Sequence, residues 1–315
     1  MNKGILITIA LVAVTGIFFA TTVASTTIEE NPFQDRKLLQ KGMQLPVIWL
    51  YVDDSIVNSR SWLDFMGRST RAINLPFLNL CYTTIVKKNS DLYRVEVISG
   101  LSDLAVRLGG WEALPGPLQT PLAPVGEAEL NWIRACVLRK WGGLWLHPST
   151  VALRPFGALP SDKVVFFGTD KGETYSDANG TQAPGLHCIW SPRPAHPLFV
   201  QWEKLARERI VTQEGGKQFR GDEKWDVRQL AMPKEVTYLP TAELSRKPDG
   251  RRIELVDIMA SGSMTFDLTA DAIYLPIPLQ ELLRNRQLGW FLAMSEDQII
   301  GSDLTISQLF KTANL

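Results

Sequence analysis

The segment RACVLRKWGGLWLHPST, residues 134–150, gathers a cation, an imidazole and a hydroxyl around one short apolar run. Arg134 sits in a helical stretch that ends at Gly142-Gly143. Leu144-Trp145-Leu146 then carries the chain to His147-Pro148-Ser149. A guanidinium suits a phosphate, which it matches in charge and shape. Imidazole suits softer metal ions and a serine hydroxyl is a poor ligand, so His147 and Ser149 are weak holders of Mg²⁺ or Mn²⁺. Asp53-Asp54-Ser55 makes a second polar exit, after the apolar run LPVIWLYV. Plain structural roles compete at each place. Arg134 can pair with Glu127 or Glu129 on its own helix. His147 can bond a backbone carbonyl, Pro148 ends a strand, and Asp-Asp-Ser is ordinary turn composition.

The elements that must position these groups read as follows. Leu45 to Val52 is a nearly continuous apolar run, suited to a central parallel strand. Helical spacing follows, with Pro76 starting a second helix. Tyr93 to Ser99 is a strand, Leu101 to Leu108 a short helix, and Gly110 to Val125 a Pro- and Gly-rich loop. From Glu127 a helix runs with Leu130, Ile133, Val137, Leu138 and Trp141 on one stripe and Arg139 and Lys140 in its last turn. One of the following glycines suits a left-handed cap. Val164 to Gly168 and Leu186 to Trp190 are strands, and Pro197 to about Thr212 is a helix. Ile253 to Met259 reads as β-rich, with helical segments at Leu279–Arg286 and Ser295–Lys311. Strands alternating with helices predict an α/β fold with a mostly parallel central sheet flanked by helices. Ligands of such sheets sit beyond the carboxyl ends of the strands, so Asp53-Asp54 and His147-Pro148-Ser149 are expected to line one crevice.

Charge narrows the partners. Lys plus Arg and Asp plus Glu both number 33, which argues against a polyanion-binding surface and hence against nucleic acid. With 45% apolar and 21% charged residues, a packed core is expected. The cysteines, Cys81, Cys136 and Cys188, show no zinc-type spacing, and Cys136 reads as a buried small hydrophobe. His187 and His196 have no metal-ligand spacing with each other and read as surface or core residues. No serine-hydrolase elbow, P-loop or dinucleotide fingerprint is present.

Residues 5–24 are apolar apart from Thr and Gly, long enough to cross a bilayer as a helix. Residues 1–25 therefore read as a signal anchor or a signal peptide, since Thr22-Val23-Ala24 also suits cleavage. Lys3 before the segment and Glu29-Glu30 after it place the body on the lumenal or extracellular side, or secrete it if the segment is cleaved. The sequon Asn179-Gly180-Thr181 agrees with that side. Residues 26–44 read as a stem and 45–315 as the main domain.

The segment LNWIRACVLRKWGGLWLHPSTVALRPF resembles the core of glycosyltransferases of the DXD sugar-binding or capsular polysaccharide synthesis type. Arg134 falls on that family's arginine, Gly142 and Gly143 on its glycines, Trp145 on its aromatic, and Leu153-Arg154-Pro155 on its exit. PVIWLYV resembles the family's opening strand, and GLHCIWSPRPAHPLF resembles a later strand and helix. The likeness runs from about Leu45 to Gln201. It implies the GT-A arrangement, a Rossmann-like sheet that binds a nucleotide-sugar donor. The implied activity is transfer of sugar to a glycan or lipid-linked acceptor. Donor contacts are then expected from Asp53, Asp54, Asn131, Arg134, Gly142, Gly143, His147 and Ser149.

The departures fall on the chemistry. His147 and Ser149 stand where the family carries the two acids of its Asp-x-Asp, and Asn131 replaces an aspartate three residues before Arg134. The usual acidic ligands for Mn²⁺ or Mg²⁺ are missing, so the cofactor is left open. Three outcomes compete. Arg134 or Lys171 can face the diphosphate without a metal. Alternatively, His147 can hold a metal with an acid from elsewhere, such as Asp53, Asp54 or Asp170. The third outcome is a catalytically inactive protein of the same fold that serves as a binding or surface protein. Asp170 and Asp222 are the candidate catalytic residues, as the general base that an inverting displacement needs. RGDEKWDVR, around Asp222, also reads as a solvated charged helix.

Overall fold

The computed structural model describes residues 45–53, 75–169, 184–212, 235–262, 268 and 271–313. They belong to a compact unit spanning Arg36–Leu315. The anchor and stem, Asp54, Asp170, Lys171, Asp222 and the sequon lie outside the described residues. Among the described residues no helix is long and apolar enough to cross a membrane.

The architecture is mixed α/β. A six-stranded sheet has the order β2-β1-β3-β6-β5-β7, built from β1 (Val47–Val52), β2 (Arg94–Ser99), β3 (Gly143–Leu146), β5 (Val164–Thr169), β6 (Pro184–Ser191) and β7 (Val236–Leu239). β1 pairs parallel with β2 and with β3, and β5 pairs parallel with β7. β6 runs antiparallel to both β3 and β5, so it alone opposes the other five. A small antiparallel pair, β4 (Thr150–Ala152) with β8 (Tyr274–Pro276), follows directly on the exit of β3.

Helix α1 (Pro76–Asn89) starts with proline at its first turn, where a missing N–H costs nothing. It packs against β4, and Thr84 Oγ1 accepts the Ala152 N–H at 2.9 Å. Helix α2 (Gly100–Leu108) ends at Gly109 in the left-handed region. Helix α3 (Glu127–Trp141) is buried over most of its middle, including Asn131, Trp132, Ile133 and Arg134. It packs on α4 (Pro197–Thr212), and both cover one face of the sheet, where Trp49, Tyr51, Trp145, Phe166 and Ile189 join the main core.

Two readings of the C-terminal third change. Ile253 to Met259 is not a strand: Leu255–Ile258 forms a helical turn, α5. Asp257 Oδ2 accepts the Glu254 N–H at 2.8 Å and its other oxygen takes Lys247 Nζ at 2.7 Å, capping the turn. The segment from Ser295 divides into α8 (Glu296–Gly301) and α9 (Thr305–Thr312), preceded by α6 (Leu279–Arg284) and α7 (Gly289–Ala293).

Candidate functional site

Strand order reverses at β1: β2 lies on one side, and the chain returns past α2 and α3 to place β3 on the other. A crevice outside the carboxyl ends of the strands is expected at such a point. Asp53 follows β1 and His147 follows β3, so both belong to this edge. Gly142 and Gly143 lie at the opposite, amino end of β3. They have φ of 66° and 91°, and a Cβ on Gly143 would meet the Val47 carbonyl oxygen at 2.5 Å. Trp49 Nε1 donates to the Gly142 carbonyl at 2.8 Å. The glycines thus let the helix stop and β3 come close to β1, and so fix where His147 emerges.

Arg134 and Asn131 lie one turn apart on α3, 2% and 1% exposed. Arg134 Nη1 donates to Asn131 Oδ1. The guanidinium carbon stands 5.6 Å from the centre of the Trp145 ring, and Nη2 reaches the exposed Glu127 carboxylate at 3.8 Å. Glu129 instead caps the helix, accepting the Gly126 N–H at 2.9 Å. Asn131 Nδ2 is buried and finds no hydrogen-bond acceptor among the described residues. An unmet buried donor costs about 1–3 kcal/mol. Trp145 Nε1 is in the same position, as are the indoles of Trp132 and Trp202, so an unmet indole says little by itself. Asn131 differs because the guanidinium fixes which side of its amide donates.

His147 is part-buried and carries its ring beside two fixed groups. Its Nδ1 lies 2.8 Å from Ser149 Oγ, and that oxygen lies 2.6 Å from the Ile277 carbonyl. The carbonyl only accepts, so the hydroxyl proton belongs there and His147 Nδ1–H donates to Ser149. The alternative, in which the hydroxyl and the Ser149 N–H (3.3 Å away) both donate to Nδ1, leaves two oxygens at 2.6 Å with no proton between them. Burial, and then the charge of Arg134, lower the His147 pKa to about 4, so the ring is neutral near pH 7. Ser149, 1% exposed, is committed to holding β8 against β3's exit.

Mg²⁺ or Mn²⁺ does not fit these residues. The serine oxygen is spent and the imidazole is a softer donor. No group of three His, Cys, Asp or Glu side chains converges among the described residues. His187, assigned above to a plain surface or core role, lies directly against His147. The His147 N–H donates to the His187 carbonyl at 2.9 Å, and the two rings are 5.4 Å apart, centre to centre. Glu243 was also missed. It is the buried carboxylate among the described residues, packed on Gly168 and accepting from Tyr274 at 3.1 Å.

No protein-family model matches the chain, and no curated protein matches it. Similar solved structures include the following two. "PaToxG Glycosyltransferase" is 17% identical with a TM-score of 0.31, over 60% of this chain and 66% of that one. The crystal structure of an active-site mutant of LgtC is 11% identical with a TM-score of 0.38, over 78% of this chain and 95% of that one. The chain thus spans just under two-thirds of the PaToxG structure's length.

Proposed function

We propose that this protein transfers a sugar from a nucleotide-sugar donor to a glycan or lipid-linked acceptor. In this reading it works on the lumenal or outer side of a membrane, held there through residues 5–24. The reaction would run at the carboxyl edge beside β1 and β3, with the donor's diphosphate facing Arg134 and Asn131 instead of a carboxylate-held metal. Departure of a diphosphate develops negative charge, and a buried, oriented cation with an adjacent N–H donor is suited to meet it. The carrying observation is the pairing of Arg134 with Asn131, whose Nδ2 is a buried amide donor with no acceptor among the described residues, under the edge that the switch-point rule selects. The sequence resemblance supports the choice of a nucleotide sugar as the ligand. Asp170 and Asp222 are the proposed proton acceptors for the incoming hydroxyl.

The test is donor hydrolysis and transfer by the full-length protein across common nucleotide sugars, with Mg²⁺, with Mn²⁺ and with EDTA. The expected result is turnover that survives EDTA. Turnover seen only with Mn²⁺ or Mg²⁺ would refute the metal-free route, and absence of both binding and turnover would favour a catalytically silent protein.

A further inference from the structure

Trp290 presents its indole to solvent at 47% exposure, while the next residue, Phe291, is fully buried. Tryptophan is mostly covered in folded proteins, so an indole left this open stands out. Arg286–Leu288 forms a 3₁₀ turn that runs into α7, where Phe291 and Leu292 take the inward side. Arg286 and Trp290 are four residues apart on this helical path, one turn from each other, and both are exposed.

Two contacts fix where this surface lies. α1 returns the chain to the start of β2 at the amino edge of the sheet, so its first turn, with Phe77, lies at the carboxyl edge that Asp53 and His147 share. The Phe291 ring packs 5.6 Å from the Phe77 ring, and Glu296 Oε1 accepts from Asn79 Nδ2 at 2.8 Å. The chain reaches α6 from Ile277, whose carbonyl holds Ser149 beside His147. Trp290 and Arg286 therefore stand on the rim of the edge where the proposed transfer would run.

The chemistry of the pair selects a partner. The faces of an indole are electron-rich, and the C–H groups on the apolar side of a pyranose ring carry the opposite polarity, so a sugar ring stacks there. A guanidinium one turn away suits a carboxylate, which it can meet with two parallel hydrogen bonds. The exposed charges from Leu279 to Ala293 are Glu281, Arg284 and Arg286, an excess too small for a polyanion but suited to one sugar acid. A bilayer calls for a wider apolar face. Among the described residues from 271 to 313, Trp290 is the one large apolar side chain left exposed.

We propose that Trp290 and Arg286 bind the acceptor, a glycan that contains a uronic acid, with its pyranose ring on the indole and its carboxylate on the guanidinium. The choice of a glycan rests on the sugar-transfer reading, but the surface is measured apart from it, on glycan alone.

The test is saturation-transfer NMR titration of the full-length protein with trigalacturonate, a hyaluronan tetrasaccharide and neutral maltotriose. At least one acidic oligosaccharide should bind more tightly than maltotriose. Trp290→Ala should weaken that binding about tenfold, Trp290→Phe less, and Arg286→Gln several-fold, with the melting temperature and nucleoside diphosphate affinity unchanged. Absence of binding by both acidic sugars overturns the proposal, as does binding that Trp290→Ala leaves intact or that maltotriose matches. Quenching of the Trp290 emission by brominated lipid vesicles, read as wild type minus Trp290→Phe, assigns the surface to lipid and overturns it too. Donor turnover is read separately, so its failure refutes the sugar-transfer reading and not the glycan surface.

Discussion

The guanidinium carbon of Arg134 lies 5.6 Å from the centre of the Trp145 ring, with the arginine 2% exposed and its Nη2 3.8 Å from the exposed Glu127 carboxylate. Arg134 Nη1 satisfies the buried Asn131 oxygen, and a buried acceptor left unmet costs about 1–3 kcal/mol. Arg134→Met should therefore lower stability by about 1–3 kcal/mol, while weakening nucleotide binding at least tenfold. Calorimetric titration with nucleoside diphosphates, alongside a melting curve, reads both. Loss of fold with intact affinity in the surviving fraction would assign Arg134 a structural role only.

Asn131→Asp places a carboxylate on the guanidinium that Asn131 now contacts. The new pair should neutralise Arg134 internally, so nucleotide affinity should fall several-fold while stability holds or rises. Isothermal titration of this variant separates an anion-binding arginine from one that merely packs.

His147 gives a pH signature. Its folded pKa of about 4 lies below the ordinary 6.5, so the unfolded chain binds its proton more readily. The stability held by the neutral ring is complete above pH 6.5 and is lost as pH falls towards 4. His147→Gln should flatten that part of the profile, by about 3 kcal/mol between pH 7 and 4. Urea denaturation of the two proteins across this range checks it.

Gly143→Ala should destabilise by about 2–4 kcal/mol, since its φ of 91° disfavours a side chain and the added Cβ meets the Val47 carbonyl at 2.5 Å. Because Gly143 sets how β3 approaches β1, the same variant should also weaken nucleotide binding, although the residue lies at the far end of the strand. Unfolding and binding measured on one preparation test both parts.

Much of the frame was legible because single residues marked it. Pro76 opens α1, Gly142 closes α3, and the apolar run before Asp53 is the inner strand β1. Ile253 to Met259 misled because its apolar residues suit a strand, while Glu254 and Asp257 supply a cap that local composition did not reveal. β8, which the sequence reading does not include, ends at Pro276, the last position of a two-stranded pair, where proline is tolerated. At the site, the expected approach of Asp53 and His147 to one edge follows from parallel pairing of β1 with β3. The His147–His187 contact does not, because it depends on β6 running against β3, which sequence spacing does not encode.

Turnover of nucleotide sugars by the full-length protein, with every divalent ion removed by EDTA, tests metal-free transfer most directly. Donor cleavage or transfer should persist in EDTA and fall at least tenfold in Arg134→Met. Activity that appears only when Mn²⁺ or Mg²⁺ is supplied, or that Arg134→Met leaves untouched, would contradict it.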